Sequence, residues 1–177
     1  SKAVMRWFTV LLGLLALGLT VPHPASAQSH FTDCLSKTET NATILIPADA
    51  EVQWGTEAPA PGDEIAVFSP DGQCSGVEVW TGKNIAVTVW SGQAPPTSRA
   101  GSRPAPGLQS GDSLQFRVWD ASDAREYTPR QHQVTHQFSD AKPYYRTSGR
   151  FVSNGIYLLT TLRFETVQAD RTDSERP

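Results

Sequence analysis

Residues 62–80, Gly62-Asp63-Glu64-Ile65-Ala66-Val67-Phe68-Ser69-Pro70-Asp71-Gly72-Gln73-Cys74-Ser75-Gly76-Val77-Glu78-Val79-Trp80, read as strand, turn, strand. Gly62-Asp63 opens the first run. Ile65 and Val67 fall on one face of a pleated strand and Ala66 and Phe68 on the other; neither face is polar, so the strand is predicted to be covered on both sides. Ser69-Pro70-Asp71-Gly72 then supplies hairpin chemistry, with Pro fixing φ and Gly accepting a positive φ. Asp63 and Glu64 are sequence neighbours, so their carboxylates point to opposite faces and do not make an acid–base pair.

Outward from this hairpin the same vocabulary recurs. Short runs rich in Val, Ile, Thr and aromatics, at 42–47, 50–54, 84–90, 113–120, 131–138, 150–152 and 156–165, stand between Gly, Pro, Asn and Asp, and helical periodicity is nearly absent. The expected fold class is all-β, an antiparallel two-sheet β-sandwich of jelly-roll or immunoglobulin-like type, in one domain over 28–166. Three runs end alike, in Val77-Glu78-Val79-Trp80, Val87-Thr88-Val89-Trp90 and Phe116-Arg117-Val118-Trp119. Alternation puts each apolar pair on the core face and sends the Trp to the other. Trp80, Trp90 and Trp119, with Tyr144 and Tyr145, are therefore the candidate ligand contacts, an aromatic platform for sugar faces or for an apolar partner surface. The preferred reading buries the indoles under loops or against a second sheet, or has them at strand ends where twist turns them inward, since Trp is highly buried on average.

The first 27 residues have the anatomy of a secretory signal peptide: Lys2 and Arg6, the apolar run Trp7 to Val21, and Ala25-Ser26-Ala27. A run of fifteen residues followed by Pro22 and Pro24 falls short of the roughly 20 apolar residues that a membrane span needs, so cleavage near Gln28 and no membrane insertion afterwards are expected. The localisation expected is secreted, periplasmic or cell-surface. Setting Lys2 and Arg6 aside leaves 13 basic against 18 acidic residues, scattered singly, which argues against nucleic acid as a partner. Cys34 and Cys74 are the only cysteines; in an oxidising compartment an even count without metal-like spacing predicts a disulfide closing a loop of about forty residues. The link from Trp90 to Leu108, with Pro95, Pro96, Pro104 and Pro106, reads as a long surface loop, and residues 167–177 as a disordered tail.

Candidate chemistry is thin. Asp120, Asp123 and Glu126 offer carboxylates for calcium, but a turn in which Asp side chains bond local amides is preferred over a calcium loop. His132 and His136 sit at the spacing of a helical zinc motif, yet Gln133 stands where the general-base Glu is needed. The segment alternates as a strand, which separates the imidazoles by about 13 Å. No nucleophile elbow, phosphate loop, dinucleotide fingerprint or paired-cysteine zinc spacing is present, so neither metal nor cofactor is expected.

Four segments carry a family resemblance: Gly62 to Phe68 with Asp71-Gly72-Gln73-Cys74-Ser75-Gly76; Val87-Thr88-Val89-Trp90; Gly111-Asp112-Ser113-Leu114-Gln115-Phe116-Arg117-Val118-Trp119-Asp120-Ala121; and Asn154-Gly155-Ile156-Tyr157-Leu158 to Leu162. In this order they resemble a poorly characterised β-domain found, often repeated, in secreted and cell-surface proteins of Gram-negative bacteria. The similarity spans about 30–165. It departs from the family pattern after Trp90, where Ser91-Gly92-Gln93 replaces the usual acidic loop, so a site built from those acids in relatives does not carry over. The resemblance implies a location and an architecture more than a reaction. The function expected is a non-catalytic exported module for extracellular or cell-surface binding or adhesion, with a glycan or an extracellular protein as partner. Alternatives are a structural or assembly component of the cell exterior and a small secreted hydrolase using Asp and Glu.

Overall fold

The computed structural model describes residues 29–92 and 106–166; the expected signal peptide, most of the link after Trp90 and the expected disordered tail lie outside the described residues. Every regular element described is a strand: β1 (Asn41–Ile46), β2 (Glu51–Trp54), β3 (Glu64–Phe68), β4 (Cys74–Val79), β5 (Ile85–Trp90), β6 (Gln115–Asp120), β7 (Arg125–Tyr127), β8 (His132–Phe138) and β9 (Ile156–Thr166). No helix among the described residues is long and apolar enough to cross a membrane.

The strands form two sheets. One runs β4-β3-β6-β7 and is antiparallel throughout. The other is organised by β9: β8 pairs it antiparallel, β1 pairs it in parallel from Thr43 opposite Ile156, β2 pairs it in parallel from Glu51 opposite Thr161, and β5 lies antiparallel beyond β1. The purely antiparallel arrangement expected from sequence is thereby corrected. Side-chain alternation is the same whichever way a partner strand runs; direction is set by the connection, and here the whole β4-β3-β6-β7 sheet intervenes between β1 and β9. The run 150–152 contributes a single bridge, Arg150 to Ser113, rather than a strand. β7, hidden in the acidic stretch after Trp119, pairs with the end of β6.

Alternation delivers one shared core. β1 contributes Ala42, Ile44 and Ile46, β5 Val87 and Val89, β3 Ile65 and Val67, and β6 Phe116 and Val118. In β9 the buried set changes phase, from Tyr157 and Leu159 to Leu162 and Phe164. The pairing with β8 shifts at that point, Phe138 facing Leu159 and Gln137 facing Thr161, and this irregularity keeps both halves of an eleven-residue strand on the core. The Tyr157 hydroxyl donates to the Arg150 carbonyl at 2.5 Å and accepts from the Val152 N–H at 3.0 Å, tying the loop before β9 to the strand.

All five residues of β3 are buried, as its two apolar faces predict. Ile65 and Val67 face the shared core; Ala66 and Phe68 join a second cluster with Phe31 and Cys74. The cover on this outer face is residues 29–36, a strap fastened by the Cys34–Cys74 disulfide and by the Leu35 N–H donating to the Cys74 carbonyl at 2.9 Å. Its other end is held by Glu64, only 4% exposed, whose carboxylate accepts from the His30 N–H at 2.7 Å, the Phe31 N–H at 3.1 Å and the Ser29 hydroxyl at 2.9 Å. Hydrogen bonds to a buried charge are worth more than neutral ones. Replacing Glu64 with Ala removes all three and is expected to cost about 2 kcal/mol, because the strap amides lie near enough to solvent to regain part of their bonding from water. Urea unfolding and amide exchange at His30 and Phe31 measure it; unchanged protection there would show that Glu64 does not hold the strap.

Candidate functional site

The three tryptophans nominated by sequence do not share one platform. β5 and β6 keep the expected phase, with Val87, Val89, Phe116 and Val118 buried and the indoles of Trp90 and Trp119 half-buried on the opposite faces. β4 has the other phase. Its register sets Val77 opposite Ala66 and Val79 opposite Glu64, both on the outer face; Val79 is 39% exposed, and Trp80 turns into the shared core at 5%. Trp119 is half-covered by the strap: the His30 ring stacks on it with centroids 3.8 Å apart and planes 2° from parallel, and His30 Nε2 lies 3.3 Å from a Glu126 carboxylate oxygen.

Trp90 faces a cavity. A cleft of about 310 Å³ opens where the strap, β4 and β5 meet, lined by Trp90 and Thr88 of β5, Val77 and Glu78 of β4, and Phe31, Thr32, Leu35 and Ser36 of the strap. Its walls are fixed by the disulfide and by the close approach of the Gly76 backbone to Thr88. It thus combines an aromatic face, short apolar side chains, three hydroxyls and one carboxylate. Of these residues the sequence nominated Trp90 alone. The signal that points to the others is the disulfide, since joining Cys34 to Cys74 necessarily brings residues 31–36 beside β4.

The face on which Trp90 lies extends across the sheet that contains β5, β1 and β9. Tyr145 bridges Ile156, Ile156 pairs with Thr43, and Thr43 with Thr88, two residues from Trp90. Directly paired residues share a face, so Tyr145 and Trp90 lie on the same surface, with three strand spacings, about 14 Å, between Tyr145 and Thr88. Tyr144 packs edge to face on Tyr145 at 4.8 Å and is 57% exposed. The arrangement therefore brings together Trp90 and the tyrosine pair on one outer surface. Trp80 lies inside the molecule, and Trp119 lies on the outer face of the other sheet.

The remaining candidates have structural partners. Asp120 is 2% exposed, and its Oδ1 accepts from the Ser122 N–H, the Ser122 hydroxyl and the Asp123 N–H, the turn chemistry preferred from sequence. Glu57, not Glu126, completes the acidic group there, with carboxylate oxygens of Glu57, Asp120 and Asp123 within 4.8 Å of one another; Glu126 instead faces Arg117 and His30. Asp63 accepts from the Ala60 and Ala121 amides while Glu64 holds the strap, so the two neighbouring acids serve opposite sides. His132 and His136 lie on strand β8, His132 buried between Tyr127 and Phe164, and His136 among Phe116 and Phe138 with its pKa lowered by burial. No family model, curated protein or solved structure matches the chain.

Proposed function

We propose that this chain is an exported, non-catalytic β-sandwich that binds glycans at the cell exterior, with Trp90 as the stacking residue. The signal-peptide anatomy of residues 1–27 and the Cys34–Cys74 disulfide support export. The shared core drawn from both sheets supports a sandwich. The observation that carries the binding reading is the Trp90 cleft, where an indole face adjoins the Thr32, Ser36 and Thr88 hydroxyls and the Glu78 carboxylate. Sugars present apolar CH faces ringed by hydroxyls, and this is the complement they need: a flat aromatic surface with hydrogen-bonding groups at its rim. Trp90 and Tyr145 on one sheet face suit an extended chain of sugars rather than an isolated one.

Titrating the secreted protein with soluble neutral polysaccharides, read by tryptophan fluorescence and affinity electrophoresis, tests this. One of them is expected to shift the protein, and Trp90→Ala to weaken that binding about tenfold, the equivalent of roughly 1.4 kcal/mol. Trp119→Ala should leave the binding in place. Equal affinity of the wild-type and Trp90→Ala proteins would remove Trp90 from the site.

One observation favours a second reading, assembly. The seven residues of β8 pair only with β9 among the described residues, leaving an edge to which another strand can add. Self-association in solution together with indifference to every sugar would favour it. Glu78 is the one carboxylate of the Trp90 cleft among the described residues, so glycoside cleavage, which uses a carboxylate pair, draws no support from that cleft.

A further inference from the structure

We propose that the outer face of β6 carries a second binding site, specific for carboxylate groups and fitted to a uronic-acid-bearing polysaccharide. The site is a groove of about 310 Å³ between the Pro70–Gly72 turn and the Thr128–Arg130 turn, with Gln115 and Arg117 of β6 on its floor. It is distinct from the Trp90 cleft and does not depend on that cleft's function.

Arg117 is the anchor. Its guanidinium lies over the Phe68 ring, with Cζ 3.8 Å from the centroid, and Phe68 is itself packed by Phe31 of the strap at 5.6 Å. Stacking fixes the plane of a guanidinium without using its N–H donors. The only charge that Arg117 meets among the described residues is Glu126, whose Oε1 stands 3.5 Å from Nη1, and its side chain remains 28% exposed. Among the described residues it makes no side-chain hydrogen bond. Arg130 enters the same groove and likewise has no ion pair or side-chain hydrogen bond there. Two guanidinium forks with open donors, one held rigid on an aromatic ring, form the geometry that takes a carboxylate through paired hydrogen bonds.

The rest of the groove narrows the class of ligand. The Gln115 amide and the Thr128 hydroxyl are neutral groups suited to sugar hydroxyls. Asp71 is the one acid on the wall; it accepts from the Ser69 hydroxyl and from the Gly107 N–H at 3.2 Å, and the Ser69 bond holds its carboxyl below the usual range, so it stays charged. A fixed negative charge beside two arginines tolerates a monoanion better than a dianion, which favours a carboxylate over a phosphate monoester. Because the chain as a whole is acidic, at −3, no general positive field attracts polyanions, and binding must come from this local arrangement.

The test titrates the secreted protein with polygalacturonate, with its fully methyl-esterified form, and with inorganic phosphate and sulfate, at fixed ionic strength by calorimetry. Polygalacturonate is expected to bind. Esterification, which neutralises the carboxylates while keeping the sugar, should weaken binding at least tenfold, and phosphate and sulfate should not compete. Arg130→Gln, at an exposed position that packs no core, should weaken binding about tenfold. Arg117→Gln should do the same and Arg117→Lys should not restore it, since an ammonium lacks the fork. Absence of binding, equal binding of the esterified form, competition by phosphate or sulfate, or unaltered affinity in the Arg130→Gln protein would each overturn the assignment.

Discussion

A Gly76→Ala protein is expected to lose about 3 kcal/mol or more of stability, an outsized penalty for one added methyl group. β4 and β5 belong to different sheets, and at this residue the β4 backbone packs directly on that of β5. A Cβ on Gly76 would lie 2.2 Å from the Thr88 carbonyl oxygen, 3.1 Å from its carbon and 3.2 Å from Val89 Cα, all backbone atoms. No rotamer change relieves a collision with backbone, so one strand must move. Overpacking costs about 1–3 kcal/mol even where side chains can yield, and Val87 and Val89 beside the contact are fully buried in a close-packed core. Gly72→Ala is the natural comparison. That glycine has φ +89° and nothing within 4 Å of its Cβ position, so the substitution meets backbone strain alone, worth about 1 kcal/mol. Urea unfolding of the two proteins separates the effects; equal losses would mean that the two sheets part more easily than their packing implies. Because Thr88 also lines the Trp90 cleft, Gly76→Ala should weaken any ligand held there.

Loss of the disulfide has the second large effect. Replacing Cys34 and Cys74 with Ser opens a covalent loop with a sequence separation of 40. On the chain-entropy account this releases about 4 kcal/mol of constraint in the unfolded state, which for a domain of this size lowers Tm by roughly 10 °C. The change has a spectroscopic companion. The strap covers Phe68 and brings His30 onto Trp119, so weakening its fastening should shift Trp119 emission to the red while Trp80, in the shared core, reports only global unfolding. Tm within a few degrees of the parent, with unchanged emission, would show that Glu64 and the Phe31–Phe68 contact hold the strap unaided.

The sequence carried most of this architecture because most of it is written in period two. The runs around β1 to β6, β8 and β9 were legible from alternation and turn residues, and the double burial of β3 from its lack of a polar face. What escaped was non-local. Parallel pairing of β1 and β2 with β9 leaves no trace in alternation. β7 is three residues long and lies in an acid-rich stretch that resembles a turn. The inverted phase of β4 arises from its register against β3, and Trp80, just past the strand's end, follows that phase into the core. At the candidate site Trp90 was legible as an aromatic off the core face, and the strap residues beside it only by way of the Cys34–Cys74 pair. The Arg117 groove was not legible, since a lone arginine between Phe116 and Val118 reads as an ordinary outward residue until Phe68 is found beneath it.

The position of β9 also sets a timetable for making the molecule. β3, β4, β6 and β7 are interrupted along the chain only by β5, so the sheet they form is complete once Tyr127 has been synthesised. The other sheet must wait: Thr43 meets its neighbour Ile156 only about 110 residues later, and β1, β2 and β8 all need the same late strand. Until it arrives, β1 has only β5 beside it and β2 and β8 lack their shared partner, so their open edges are free to pair with strands of a neighbouring nascent chain. Transport in an unfolded form, with folding begun only after residues 156–166 are present, would spare the chain that exposure.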